Sequence, residues 1–85
     1  MKISYSKAFI KQSKKLSFAV REQLIERINL FARNPLDASL RNHRLKGKYK
    51  EYWSINVTGD YRALYLLMDD EAIFDQVGTH SQLYG

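Results

Sequence analysis

Three features of this 85-residue sequence predict an α+β domain of order β-α-α-β-β-β. Apolar residues recur at helical spacing through the first third, and at a spacing of two beyond residue 50. Between the later runs stand short turn signals, Thr58-Gly59-Asp60 and Asp69-Asp70. The expected architecture is two N-terminal helices packed on one face of a mainly antiparallel four-stranded sheet. Residues 1–85 are read as one domain, because a chain of this length supports a single small core.

Each element follows from its own residues. Lys2 to Tyr5 sets Ile3 against Ser4 and reads as a short first strand. Ser6 can cap a helix with Phe9, Ile10, Ser13 and Leu16 near one face, and Lys7, Lys11, Lys14 and Lys15 mostly away from it. Ser17 offers a second cap. Leu24, Ile25, Ile28, Phe31 and Ala32 then make an apolar stripe, and Asn34-Pro35 stops the helix. From Asp37 to Lys50 the pattern breaks into a polar, basic connection. In Tyr49–Val57, Trp53, Ile55 and Val57 face one way while Tyr52, Ser54 and Asn56 face the other. Tyr61–Met68 and Glu71–Gly78 complete a three-stranded meander. The partner of the first strand is left open by the pattern.

Composition narrows the functional classes. The chain is 45% apolar and 27% charged, with one proline and four glycines, which is globular composition. It has no cysteine, which excludes a disulfide scaffold, a thiolate metal site and a thiol nucleophile. Two histidines without ligand spacing predict no metal site, and no cofactor motif is present. The start lacks the apolar stretch of a signal peptide, and the run Ala63 to Met68 is too short to span a bilayer. A cytoplasmic protein without membrane contact is expected. The net charge of +5 is uneven: residues 1–50 hold 13 Lys or Arg against 3 acids, and residues 51–85 hold 1 against 6. The basic first half predicts a polyanion or an acidic protein as partner.

Three places can carry chemistry. In the window Arg41 to Lys50, Arg41, His43, Arg44, Lys46, Lys48 and Lys50 stand with no acid among them, beside Tyr49, Tyr52 and Trp53. Such a set holds phosphates and stacks bases; the alternative is a solvated loop whose lysines guard a sheet edge. Near the end, His80 follows Gly78, whose missing side chain permits close approach by a ligand, and Tyr84 lies four residues on, able to pack on a base. Histidine trades protons near neutrality, although a plain tail histidine fits as well. Asp60 and Arg62 share parity and can pair with each other, or position a proton donor and neutralise a phosphate. Turn geometry is reason enough for Asp60, whereas an arginine inside an apolar strand needs a partner or a ligand anion. RNA transesterification suits these side chains, since RNA brings its own 2′-hydroxyl nucleophile and asks only for a base, an acid and cations.

The runs Asn42-His43-Arg44-Leu45-Lys46-Gly47, Tyr52, Gly59-Asp60-Tyr61-Arg62-Ala63-Leu64-Tyr65 and Gly78-Thr79-His80-Ser81-Gln82-Leu83-Tyr84, in this order, resemble the RelE/ParE toxin superfamily, and within it the YafQ branch of type II toxin–antitoxin systems. The resemblance spans nearly the whole chain. It implies a small α+β ribonuclease that enters the ribosome and cuts translated mRNA, a cognate antitoxin, and operator DNA bound only through the toxin–antitoxin complex. Residue by residue, it implies a catalytic role for His80, His43, Asp60 and Arg62, with Tyr84 as the terminal aromatic that meets substrate. Arg44, Lys46, Lys48 and Lys50 would hold the phosphates. An acid and a histidine of the branch correspond to Ser54 and Asn56, and Asn56 can hydrogen-bond substrate but not exchange protons. The lysines of the first helix form a solvated face that would also approach ribosomal RNA. The antitoxin is expected to be acidic where it covers the basic half. Alternatives are a ParE-like or ribosome-binding inhibitor that does not cleave, and a degenerate protein that only binds antitoxin.

Overall fold

The computed structural model describes residues 1–84. It contains β1 (Lys2–Tyr5), α1 (Lys7–Lys14), α2 (Phe18–Arg33), β2 (His43–Arg44), β3 (Tyr52–Asn56), β4 (Tyr61–Met68), β5 (Glu71–Thr79) and α3 (His80–Tyr84), with 3-10 turns at Ala38–Leu40 and Gly47–Tyr49. Both expected caps are made: the Ser6 hydroxyl accepts from the Phe9 amide at 3.1 Å, and Ser17 from that of Val20 at 3.3 Å. The Asn34 amide closes α2 on the Leu30 carbonyl just before Pro35.

The sheet has five strands in the order β1-β5-β4-β3-β2, one more than expected. The extra strand is His43–Arg44, paired antiparallel with Ser54 and Trp53. Two residues are too few to show a spacing of two, so pairing with β3 and not local pattern makes this strand. The β3–β4–β5 meander is antiparallel as predicted, while β1 joins the far side of β5 in parallel, Ile3 opposite Ala72. The segment read as a strand from Tyr49 begins only at Tyr52. Before it, Gly47 adopts φ +66°, a left-handed turn that glycine makes without Cβ strain.

The core lies between the helices and one sheet face. Phe9, Leu24, Ile28 and Phe31 pack on Ile55, Val57, Ala63, Tyr65, Ala72, Phe74 and Val77. Phe31 meets Tyr65 and Phe74 edge-on, at centroid separations of 4.9 and 5.4 Å, a geometry that adds to area burial. The predicted stripe is too wide at its margins, since Ile25 is 50% exposed and Ala32 is exposed. Ile10, also expected on the buried face of its helix, is 45% exposed. Ile10 and Ile25 both line one open groove between α1 and α2, with Phe9, Leu24 and Ile28 along it, so the two helices splay there and leave these side chains partly uncovered. The alternation in β3 holds, yet Ser54 is buried as deeply as Ile55. Ser54 and its cross-strand neighbour Leu64 are covered on the opposite face of the sheet, so both faces of β3 and β4 are occupied at this point.

Candidate active site

On that opposite face an open cleft of about 360 Å³ is lined by His43, Leu45, Ser54, Arg62, His80 and Tyr84. The lining comes from β2 and the residue after it, β3, β4 and α3, and none of the six residues is acidic. Residues separated by about half the chain meet here because β2 pairs at the edge of β3 and α3 follows directly on β5.

The His80 side chain is exposed at the cleft, and its backbone is ordered. His80 is the first residue of α3, a helix started by Thr79 and Gln82 acting reciprocally. The Thr79 hydroxyl accepts from the Gln82 amide at 3.2 Å, and the Gln82 side-chain oxygen accepts from the Thr79 amide at 2.8 Å. This is a capping box, and its Thr-x-x-Gln spacing is visible in the sequence. The His80 amide donates to the Asp60 carbonyl at 3.3 Å, which ties α3 to the β3–β4 turn. Gly78 does permit close approach, but the group that approaches is Gln82: a Cβ at Gly78 would lie 2.9 Å from its Oε1.

His43 is held from the other side. Arg41 takes a left-handed conformation, φ 48° and ψ 44°, uncommon for a residue with a side chain. Its carbonyl lies 2.7 Å from His43 Nδ1. A carbonyl only accepts, so Nδ1 carries the proton, and in the neutral ring Nε2 keeps its lone pair. Asn42 braces the same segment, its Nδ2 donating to the Pro35 carbonyl at 3.0 Å and its Oδ1 accepting from the Tyr65 hydroxyl at 2.7 Å.

Arg62 uses one terminal nitrogen to hold its own hairpin. Nη1 donates to the carbonyls of Thr58, Gly59 and Tyr61 at 3.0 to 3.2 Å. These backbone partners, and not Asp60, answer the need for an acceptor, and the positive charge remains in the cleft. Asp60 lies in the turn before β4, exposed, its amide taken by the Thr58 hydroxyl at 3.2 Å. It is absent from the lining and joins His80 through the backbone alone. Burial pushes the Tyr84 phenol above its ordinary pKa, with Ser54 and the Arg62 charge pulling the other way, so Tyr84 is a neutral donor at physiological pH.

The remaining expected residues stay outside the cleft. Arg44 Nε donates to the Lys50 carbonyl at 3.0 Å and staples the basic connection. Lys46, Lys48 and Lys50 are exposed around the Gly47–Tyr49 turn, with Lys48 Nζ 5.3 Å from the Tyr49 ring centroid. Asn56 pairs with Arg62 across β3 and β4, half-buried and beyond the lining. Among the described residues, no group of three or more His, Asp or Glu could hold a metal ion. No helix among the described residues is long and apolar enough to cross a membrane.

The family model described as a bacterial toxin of type II toxin–antitoxin system, YafQ, matches residues 1–85. This chain belongs to the YafQ family. The mRNA interferase toxin YafQ of Escherichia coli is 37% identical over 51 residues, 60% of this chain; the aligned segment spans 55% of that relative's length. Structural likeness extends further. The crystal structure of E. coli YafQ superposes with a TM-score of 0.83 at 30% identity, covering 98% of this chain and 97% of that one. YafQ in the E. coli DinJ–YafQ toxin–antitoxin complex gives 0.80 at 30% identity, with 98% and 96% covered.

Within this YafQ-family chain, residue types and motifs single out four of the six lining residues as site residues. Leu45 enters the sequence reading only inside a motif, and Ser54 only as a strand residue facing away from Trp53 and Ile55 and as a departure from the branch. Parity is the signal that places Ser54, since it shares the face of Tyr52 and Asn56 opposite the core.

Proposed function

We propose that this YafQ-family protein is an mRNA interferase, a ribosome-dependent endoribonuclease that cleaves translated mRNA by attack of the 2′-hydroxyl, without a metal. The observation that carries the reading is the convergence of His43, Arg62, His80 and Tyr84 in one open, acid-free cleft.

The chemistry follows from the donors and acceptors. His43 Nε2 removes the 2′-hydroxyl proton, and the resulting imidazolium is stabilised by the Arg41 carbonyl on Nδ1. The 2′-oxygen forms a bond to phosphorus while the bond to the 5′-oxygen breaks, leaving a 2′,3′-cyclic phosphate. Protonated His80 supplies the proton to the departing oxygen. Arg62, anchored through Nη1, offers Nε and Nη2 to the phosphoryl oxygens as charge builds on them. The neutral Tyr84 hydroxyl adds a donor to substrate. Asp60 fixes His80 through its backbone carbonyl, and its exposed carboxylate in the adjoining turn is the second proton handler of this reading. Arg44, Lys46, Lys48, Lys50 and Asn56 bind the flanking RNA backbone and ribosomal RNA, outside the reacting centre.

The partner is a cognate antitoxin with an acidic segment over the basic half, and operator DNA is reached only through that complex. The deciding experiment is cleavage of a defined mRNA on programmed ribosomes, read by primer extension, with His80→Ala beside the unmodified protein. Cuts by the unmodified protein and a loss of ~10²–10⁴-fold in the variant are expected for a proton-transferring residue. Cuts by both would move the proton transfer to another group. Ribosome binding without cuts by either would favour a non-cleaving inhibitor, the outcome to which Ser54 and Asn56 would then point.

A further inference from the structure

At five residues, α3 is far below the length at which a helix holds itself in water, yet it carries both His80 and Tyr84. Its first turn is secured by the capping box. Its last turn has carbonyls that need partners from outside the helix. One comes from Tyr49, 34 residues earlier, whose hydroxyl donates to the Leu83 carbonyl at 2.7 Å. The Tyr49 ring also meets Tyr84 edge-on at 5.3 Å between centroids, and Tyr84 lies against the His80 imidazole at 4.8 Å. Tyr49 is in turn steadied by Tyr52, 6.2 Å between centroids, and Tyr52 donates to the Asp75 carboxylate at 2.7 Å.

We propose that Tyr49 is the positioning residue of this site, holding the His80 imidazole in the cleft through the Leu83 carbonyl and the Tyr84 ring. It is absent from the cleft lining and so acts through α3, not on substrate. The inference rests on the reading of His80 as the proton donor. It also gives the basic connection a second role, because the turn that presents Lys48 to a polyanion is the same turn that fixes α3, and the two are mechanically joined.

Two readouts test this. The first is single-turnover cleavage on programmed ribosomes by Tyr49→Phe and Tyr49→Ala. Phenylalanine keeps the ring contact and loses one hydrogen bond, so the maximal rate should fall about 3- to 10-fold. Alanine removes both restraints, and the loss should approach ~10²-fold, the scale of a small misplacement of a reacting group. In Tyr49→Phe the ribosome concentration giving half-maximal rate stays unchanged. In Tyr49→Ala, which also removes the ring beside Lys48 and Tyr84, the fall in maximal rate exceeds any change in that concentration. The second readout is the imidazole proton resonance of His80 in the free protein, assigned by its disappearance in His80→Ala. The Tyr84 ring shifts this resonance. Tyr49→Ala should move it toward the position of an unstructured histidine, and Tyr49→Phe should leave it nearly in place.

An unmoved resonance in Tyr49→Ala, or cleavage by that variant at the unmodified rate, would overturn the proposal. So would a change confined to the half-saturating concentration, which would make Tyr49 an RNA contact. Should His80→Ala itself cleave normally, the reading of His80 falls. The resonance then decides by itself whether Tyr49 holds the imidazole.

Discussion

Gly78→Ala isolates the link between the sheet and α3. The glycine lies outside the left-handed region, so alanine there meets no backbone penalty. On unfolded-chain entropy alone the substitution would stabilise by ~0.4–1 kcal/mol. The structure predicts the opposite sign. The new Cβ would sit 2.9 Å from Gln82 Oε1 and 3.4 Å from Gln82 Cβ, so the capping oxygen must leave the Thr79 amide. Losing a cap costs ~0.5–2 kcal/mol. For a domain of this size each kcal/mol moves the melting temperature by about 4–8 °C. A fall of several degrees in a calorimetric melt is expected, with weaker cleavage because His80 starts the same turn. A double-mutant cycle makes the test specific: in a Gln82→Ala background the Oε1 clash and the side-chain half of the cap are already gone, and most of the cost of Gly78→Ala should vanish. A melting temperature unchanged or raised by Gly78→Ala would refute the reasoning. Equal costs in the two backgrounds would refute the assigned cause.

Two further expectations concern charge. The hydrogen bond to Asp75, with burial second, raises the Tyr52 pKa above the ordinary phenol value. A raised folded value means that this stabilisation is fully present below pH ~10 and is lost as pH rises through the folded pKa. Thermal melts at increasing alkalinity should therefore show a decline that is shallower in Tyr52→Phe, and an identical decline in both proteins would count against the Tyr52–Asp75 pair as its source. Antitoxin affinity should fall between low and physiological ionic strength, because a surface carrying +10 over residues 1–50 is screened by salt. Calorimetric titrations showing no salt dependence would remove the electrostatic part of the partner assignment.

Much of the fold can be read locally because its cues are local. Ser6 and Ser17 cap whatever helix follows them, Asn34-Pro35 ends one, and a spacing of two in Trp53, Ile55 and Val57 makes a half-buried strand wherever it lies. Where local reading fails, the cause is non-local. His43–Arg44 is a strand only because β3 offers it an unpaired edge. Ile25 stays half exposed because α1 and α2 leave an open groove between them where it lies. The Thr79–Gln82 cap is the exception, a local cue at the start of a helix too short to show a periodic pattern.

The same division governs the site. By itself the sequence determined the chemical inventory: two histidines, a basic run free of acids, an arginine in an apolar strand, no thiol, and an order of motifs that resembles one toxin family. These depend on residue identity and spacing, which folding does not change. Only the tertiary structure decided which members of the inventory meet. His43, Arg62, His80 and Tyr84 share a cleft, while Asp60 and the lysines of the connection do not line it. It also decided the proton's place on His43, through the carbonyl of a left-handed Arg41, and the anchoring of α3 by Tyr49. Hydrogen bonds and ring contacts act over a few ångströms. Tyr49 and Leu83 lie 34 residues apart, and the folded sheet is what brings them within reach; Arg41 and His43 are near neighbours, and their contact depends on a left-handed backbone that residue identity does not show.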